Sequence, residues 1–327
     1  MKAIVVHQAA EEPRLVWADV PEPSMGAADV LVRVRAAAVN RADLLQARGG
    51  YAPPAGASEI LGLEMAGDIV AVGAAVVGWQ PGERVCALLP GGGYAERVAV
   101  PYEMLLRLPD GWSYAQGAAV PEVWYTAFVN LFLEGDLRTG ERVLIHAGAS
   151  GVGTAAIQLA RSMGAEVYAT AGTDEKVAVC RHLGAAHAVN YKQADFLPAI
   201  LEATAGEGVD LILDPVGAAY LPRNLQLLRG QGRLVSIGLL SGGQTTLDMG
   251  LLLRKRLRLV GSTLRGRPLA EKIAITEQFR ARFWPLLVHG ALQPIIDRAF
   301  PLPDAQEAHA YVRQNRNIGK VILTVSS

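Results

Sequence analysis

In the first third of the chain, apolar residues come in short runs of strand length separated by glycine and proline turns, and helical periodicity is sparse. Val30 to Ala36 (VLVRVRA) alternates inward and outward positions, and Ala66 to Val72 and Arg84 to Leu89 read as further strands. Near Arg142 the period changes. Arg142 to His146 (RVLIH) is a buried-type strand, glycines follow, and Val152, Ala156, Leu159, Ala160 and Met163 then recur at helical spacing. The same β-loop-α grammar repeats, with strands expected near Glu166 to Thr170, His187 to Val189, Asp210 to Leu213, Arg233 to Ile237 and Leu257 to Val260. Parallel strands need crossovers and those crossovers are helices, so about six strands alternating with helices predict an α/β, doubly wound parallel sheet. After Gly261 come an amphipathic stretch (Leu269 to Val288), a segment Pro294 to Phe300 and a helix–strand pair ending at Val325. This tail is too short to stand alone and is expected to complete the β-rich domain. The expected division is 1–122 with 264–327, and 123–263.

Composition narrows the function. The 327 residues are 51% hydrophobic and 19% charged, the make-up of a folded protein rather than a disordered one. Lys and Arg (31) balance Asp and Glu (31), so no global field draws the chain to nucleic acid or an anionic membrane. Two cysteines, Cys86 and Cys180, are too few for a disulfide framework or a four-thiolate zinc site, and a reducing cytoplasm is the expected compartment. The apolar run within Met1 to His7 is shorter than a signal-peptide core of about 7 to 15 residues and reads as a first strand. Ala115 to Leu133 is interrupted by Pro121, Glu122 and Asn130, so no membrane span of about 20 apolar residues is expected. Six histidines show no metal-binding spacing, and no metal is expected.

The segment Ala147-Gly148-Ala149-Ser150-Gly151-Val152-Gly153 follows a strand and opens a helix. In that context small residues let the backbone approach a pyrophosphate, and the free N–H groups and dipole of the helix start favour negative charge. In NAD-type versions of this unit an acid about 20 residues on binds the ribose 2′-hydroxyl. Here the second strand runs into Ala171-Gly172-Thr173-Asp174-Glu175-Lys176, with Asp174 expected to cap a helix starting near Lys176, and Tyr191 follows the third strand. A hydroxyl and a cation without a ribose-binding acid suit a 2′-phosphate, and NADPH is the expected cofactor. Val216, after the fourth strand, and Ile237-Gly238-Leu239 and Ser262-Thr263-Leu264, at the ends of the last two, occupy the edge where doubly wound folds bind ligands. Asn315 completes the expected cofactor set.

With these motifs stand Asn40-Arg41-Ala42-Asp43, Gly62-Leu63-Glu64-Met65-Ala66-Gly67, Pro81-Gly82-Glu83-Arg84-Val85, Asn190-Tyr191 and Asn317-Ile318-Gly319-Lys320. Over essentially its whole length the chain resembles the zinc-independent quinone oxidoreductase (zeta-crystallin-like) branch of the medium-chain dehydrogenase/reductase superfamily. The resemblance implies a GroES-like substrate domain, a Rossmann NADPH-binding domain, and reduction of quinones or related enones. Zinc alcohol dehydrogenases of the same superfamily carry Cys, His and a third ligand where this chain has Asn40, Leu63 and roughly Glu122, and leucine cannot ligate. Ser150 stands where the family's glycine loop has its middle glycine.

The resemblance places Asn40 near nicotinamide and substrate, its amide donating to an oxygen, with Asp43 in support and Thr126 bordering the nicotinamide pocket. The run Pro121 to Thr126 is expected to precede the helix that begins the cofactor domain. Tyr51 lies in a Gly/Pro loop, where its ring can cover a flat substrate and its phenol can donate a proton. The expected activity is NADPH-dependent reduction of a quinone or enone. Reduction of enoyl thioesters or alkenals, or NADPH binding in a structural or RNA-binding role with little turnover, are the alternatives. The last strand of the α/β domain, near Leu257 to Thr263, is expected to be a sheet edge through which a homodimer forms.

Overall fold

The computed structural model describes residues 1–8 and 12–325. It comprises two compact units, residues 1–125 with 264–327, and residues 126–263.

The first unit is built on one mixed sheet. Its strands run in the order Ile296–Pro301, Lys320–Thr324, Asp29–Val39, Glu64–Val72, Arg84–Leu88 and Leu105–Arg107, and Arg97–Pro101 also pairs with Asp29–Val39. The long strand Asp29–Val39 shows why the alternation matters. Val30, Val32 and Val34 are fully buried while Arg33 faces solvent, and the run Ala36 to Ala38 is small enough to be covered on both sides. Lys2–His7 and Arg14–Asp19 form a separate antiparallel pair. Ile4, Leu15, Val39, Leu61, Tyr94, Leu302, Val312, Val321 and Leu323 share one core, which gathers residues from both ends of the chain.

The second unit is a six-stranded, all-parallel sheet in the order His187–Asn190, Glu166–Ala171, Arg142–Ile145, Val209–Asp214, Leu228–Ser236 and Arg258–Gly261. The chain starts in the middle, winds to one edge and returns to the other, which is the doubly wound arrangement. Helix Gly151–Ser162 crosses between the first two strands and buries Gly153 to Ala160. Helix Asp174–Leu183 has Thr173 as N-cap, acids in its first turn, Arg181 and His182 in its last, and Gly184 at φ 113° as its left-handed stop. Leu144, Tyr168, Phe196, Ile200, Ile212, Leu225 and Leu234 form the core on one face. Arg258–Gly261 has a strand on one side only.

Two local expectations are corrected, and one amphipathic stretch resolves into its parts. Pro121 to Thr126 does not precede a helix but forms most of one, Pro121–Phe128, because proline is tolerated in a helix's first turn. The stretch Leu269 to Val288 is two helices, Leu269–Arg282 and Trp284–Val288, interrupted at Phe283 just before Pro285. Asp174 does not cap its helix. Thr173 takes that place, its Oγ1 accepting from Lys176 N at 3.2 Å.

Phe196 is fully buried, with His146 and Tyr220 rings 4.8 and 4.9 Å away. Phe196→Ala is expected to lower unfolding free energy by about 3–5 kcal/mol, read by urea denaturation.

Candidate active site and cofactor loop

In the second unit the loop after Arg142–Ile145 is shaped by contacts only small residues permit. A side chain at Gly153 would place its Cβ 2.4 Å from the Ala147 carbonyl oxygen, and one at Gly148 would meet Cys180 Sγ at 2.8 Å. Ser150 caps the helix by accepting from Gly153 N at 3.0 Å, which leaves the N–H groups of Gly151 and Val152 at the positive end of the dipole. Across the next strand, a Cβ on Gly172 would lie 2.7 Å from the Tyr191 hydroxyl. Gly172, Thr173, Lys176 and Tyr191 are thus neighbours. The first acid after the strand, Asp174, is engaged by the segment that carries Tyr191: its carboxylate accepts from Asn190 Nδ2 at 2.7 Å and Gln193 Nε2 at 3.0 Å, which holds its pKa low.

The strand ends behind this loop are tied by a buried polar chain. His146 bonds Thr170 Oγ1 at 2.9 Å through Nδ1 and Asn224 Oδ1 at 2.8 Å through Nε2, and Asn224 Nδ2 donates to Asp214 Oδ2 at 3.1 Å. Asp214 Oδ1 accepts from Val216 N at 2.7 Å, and the Asp214 carbonyl accepts from Ile237 N at 2.9 Å. Burial pushes the His146 ring down to about 4, so it is neutral at pH 7. The chain joins four adjacent strand termini and sets the backbone of Val216 and Ile237. Gly238 lies against Pro215, Leu239 is exposed, and Ser262 N donates to Ser236 O at 3.0 Å. Thr126 also belongs to this unit, its carbonyl accepting from Asn130 Nδ2 at 2.7 Å. Leu264 and Asn315 belong to the first unit.

In the first unit, Asn40 and Asp43 lie at the start of helix Arg41–Ala47. Asn40 Nδ2 donates to Glu64 Oε1 at 2.8 Å and to the Ala38 carbonyl at 3.3 Å, while Asn40 Oδ1 accepts from Lys320 Nζ at 2.7 Å. Lys320 Nζ also donates to Val39 O at 3.0 Å and pairs with Glu64 Oε1 at 2.6 Å, and both charged side chains are buried. The expectation of an Asn40 amide free to donate to substrate is therefore corrected, since both its hydrogens are taken by neighbours. Asp43 is fully buried, accepting from Asn40 N, Gly62 N and the Tyr94 hydroxyl, which in turn bonds His309 Nε2 at 3.1 Å. Burial raises its carboxyl to about 6 against the opposing pull of those backbone bonds.

Glu64 also accepts from Glu122 N at 2.8 Å, which brings Glu122 to the same cluster. Burial, reinforced by the Glu64 charge, pushes the Glu122 carboxyl up to about 8. Arg265 Nε donates to Pro90 O at 2.8 Å, and its guanidinium stands 5.3 Å over the Tyr51 ring. Burial and the Glu122 charge raise the Tyr51 phenol. Tyr51, Glu122 and Arg265 thus share one electrostatic neighbourhood. Glu64 and Lys320 lie in motifs that carry the family resemblance, but nothing local marks them as a buried pair, and Arg265 follows the last strand of the other unit with no local pattern to mark it.

Residues 26–110 match the alcohol dehydrogenase GroES-like domain and residues 151–280 the zinc-binding dehydrogenase model. A 2-haloacrylate reductase from a Burkholderia species is 31% identical over 336 residues, covering 98% of each chain. The chain belongs to the medium-chain dehydrogenase/reductase superfamily. It is an oxidoreductase of that superfamily. Among solved structures, Escherichia coli quinone oxidoreductase complexed with NADPH superposes with TM-score 0.84 at 27% identity over 95% of both chains. CurK enoyl reductase gives TM-score 0.85 at 30% identity, again over 95% of both. A pikromycin polyketide synthase component from Streptomyces venezuelae is 35% identical over 322 residues, but the chain spans only 8% of that synthase's length.

Zinc does not fit this member of the superfamily. Leu63 offers no donor atom, and Asn40 and Glu64 already close around the Lys320 ammonium. Among the described residues no group of three or more His, Cys, Asp or Glu could hold a metal ion. A nicotinamide dinucleotide does fit, because the helix start at Ser150–Gly153 presents backbone N–H groups at the positive end of its dipole, a favourable place for a pyrophosphate.

Two outcomes follow from these networks. Lys320→Met leaves Glu64 buried without its counter-charge and is expected to cost about 3–5 kcal/mol in urea denaturation. The His146 ring titrates near 4 in the fold against 6.5 when free. The unfolded chain therefore binds more protons between those values, and stability rises with pH across that window. His146→Gln is expected to flatten this slope in urea midpoints.

Proposed function

We propose that the chain is an NADPH-dependent, zinc-independent reductase of quinones or related conjugated carbonyls, of the quinone oxidoreductase (zeta-crystallin-like) branch. The observation that carries the reading is the pairing of a phosphate-type loop at Ser150–Gly153 with Gly172, Thr173, Lys176 and Tyr191, while the Asp174 carboxylate already accepts from Asn190 and Gln193. When bound, a reduced nicotinamide supplies a hydride to an electron-poor carbon. The loop N–H groups and Ser150 hold the pyrophosphate, Lys176 and Thr173 meet the ribose 2′-phosphate, and Tyr191 flanks the adenosine. The backbone of Val216, Ile237, Gly238, Leu239, Ser262 and Thr263 receives the nicotinamide end, with Thr126 at its margin. Quinones are strong acceptors and need positioning with hydrogen bonding rather than a Lewis acid. Tyr51 covers the flat ring, and Asn40 and Asp43 hold the wall behind it.

A second reading, reduction of an enoyl thioester, is favoured by the likeness to CurK and JamJ enoyl reductases and by the Tyr51 phenol as a proton source. The free, buried Cys86 and Cys180 suit a cytoplasmic protein. The one-sided strand Arg258–Gly261, near exposed Leu253 and Leu259, supports a homodimer.

The test is titration with NADPH and NADH followed by a quinone and a crotonyl thioester, with nicotinamide oxidation followed by absorbance. Quinone turnover with NADPH supports the first reading and preferential thioester turnover the second, whereas binding without oxidation of any acceptor defeats both. Lys176→Ala is expected to weaken NADPH about tenfold and leave NADH unchanged, the loss of a charged phosphate contact. Equal losses for the two cofactors would defeat the 2′-phosphate assignment.

A further inference from the structure

Within the first unit two buried polar atoms stand close to the Asn40–Glu64 cluster without a partner, Oε2 of Glu122 and Nη2 of Arg265. They sit on different segments, one in helix Pro121–Phe128 and the other just after the chain returns to this unit at Leu264. The Arg265 guanidinium is held in place, and so is the backbone that carries Glu122. Arg265 is 4% exposed and anchored through Nε to Pro90 O, with Nη1 3.4 Å from Tyr51 O. Glu122 is anchored through its backbone N–H to Glu64 Oε2. A native fold leaves few such groups unpaired, and a carboxyl and a guanidinium orphaned in one neighbourhood define a place for an acceptor atom that the chain itself does not supply.

We propose that Glu122 and Arg265 together receive the carbonyl oxygen of the substrate, Glu122 as the acid that protonates it and Arg265 as the fixed charge that holds it. The inference rests on the reading that the enzyme reduces a conjugated carbonyl, and it assigns the acid for that reaction. As the substrate accepts the hydride, an electron pair shifts onto its carbonyl oxygen. The O–H bond of Glu122 breaks, a new O–H bond forms on that oxygen, and the carboxyl keeps the bonding pair as a carboxylate facing Arg265. The product is a hydroquinone or an enol, the nicotinamide is left oxidised, and solvent returns a proton to Glu122.

The surrounding charges favour a resident proton. Besides burial, Glu64 from strand Glu64–Val72 and Asp43 from helix Arg41–Ala47 oppose a Glu122 carboxylate. Lys320 and Arg265 favour one, and Tyr51 and Lys272 share the same field. The balance leaves the carboxyl titrating at about 8, so at pH 7 it is an acid with a proton to give, whereas Asp43, at about 6, is mostly ionised.

The experiment compares wild type with Glu122→Gln, which keeps the shape and cannot transfer a proton, and with Arg265→Met. Three readouts are NADPH binding by fluorescence, the pH profile of quinone and enone reduction, and infrared titration of the carboxyl band. Glu122→Gln is expected to lower kcat about 100-fold at neutral pH with NADPH affinity unchanged. The wild-type rate is expected to fall above about pH 8, as the Glu122 carboxyl loses its proton, and the variant to lack that limb. Wild type is also expected to show a carboxyl band titrating at about 8 that is missing in the variant. Arg265→Met is expected to raise KM for the acceptor several-fold. A Glu122→Gln enzyme with wild-type rates, or a wild type with no carboxyl titrating above neutral pH, overturns the inference. Should the variant not fold, the wild-type infrared titration and alkaline limb decide it. Wild type that binds NADPH and reduces no acceptor overturns the functional reading itself, an outcome distinct from turnover that is indifferent to Glu122.

Discussion

The buried ion pair between Lys320 and Glu64 governs the arrangement of the first unit. A charge removed from water is tolerated only where partners replace the water, and here the ammonium is met by Glu64 Oε1, Asn40 Oδ1 and Val39 O. That requirement draws together the start of helix Arg41–Ala47, strand Glu64–Val72 and the last strand, Lys320–Thr324. Glu64 spends its other oxygen on the backbone of Glu122. The position of the helix that carries Glu122 is therefore tied to the same pair, and the site inherits its geometry from a contact made for electrostatic reasons.

The second unit solves a different problem by exclusion. Its glycine loop packs because side chains are absent where Gly148 meets Cys180 and Gly153 meets the Ala147 carbonyl, and the His146–Asn224–Asp214 chain holds the neighbouring strand ends without a mobile charge. A neutral imidazole bonded at both nitrogens has one orientation, so the strand termini that it links move as one piece.

What the sequence disclosed and what it hid divide along the range of the interactions. Alternation in Val30 to Ala36 and the strand–glycine–helix grammar at Arg142 are local, and the corresponding strands and helix stand where that grammar puts them. Gly172, Lys176 and Tyr191 are named from their place after the next two strands, and Gly172 and Tyr191 do meet in the fold. By contrast, Asn40 meets Lys320 across 280 positions and His146 meets Asn224 across 78, and neither separation leaves a periodic trace. A free Asn40 amide was therefore a reasonable expectation and an incorrect one. The capping error at Asp174 was local but arose from competition: Thr173 and Asp174 are both good caps, and the carboxylate was claimed by Asn190 and Gln193.

The strand Lys320–Thr324 lies inside its sheet, between Ile296–Pro301 and Asp29–Val39, although it comes from the far end of the chain. Synthesis runs from the amino end, so the middle unit has its six strands in hand while the first still lacks an interior strand and the cation that Glu64 requires. On the ribosome, then, Glu64 and the flank of Asp29–Val39 stay uncovered until Lys320–Thr324 emerges, which makes that interval the time when a nascent chain most needs shielding from its neighbours.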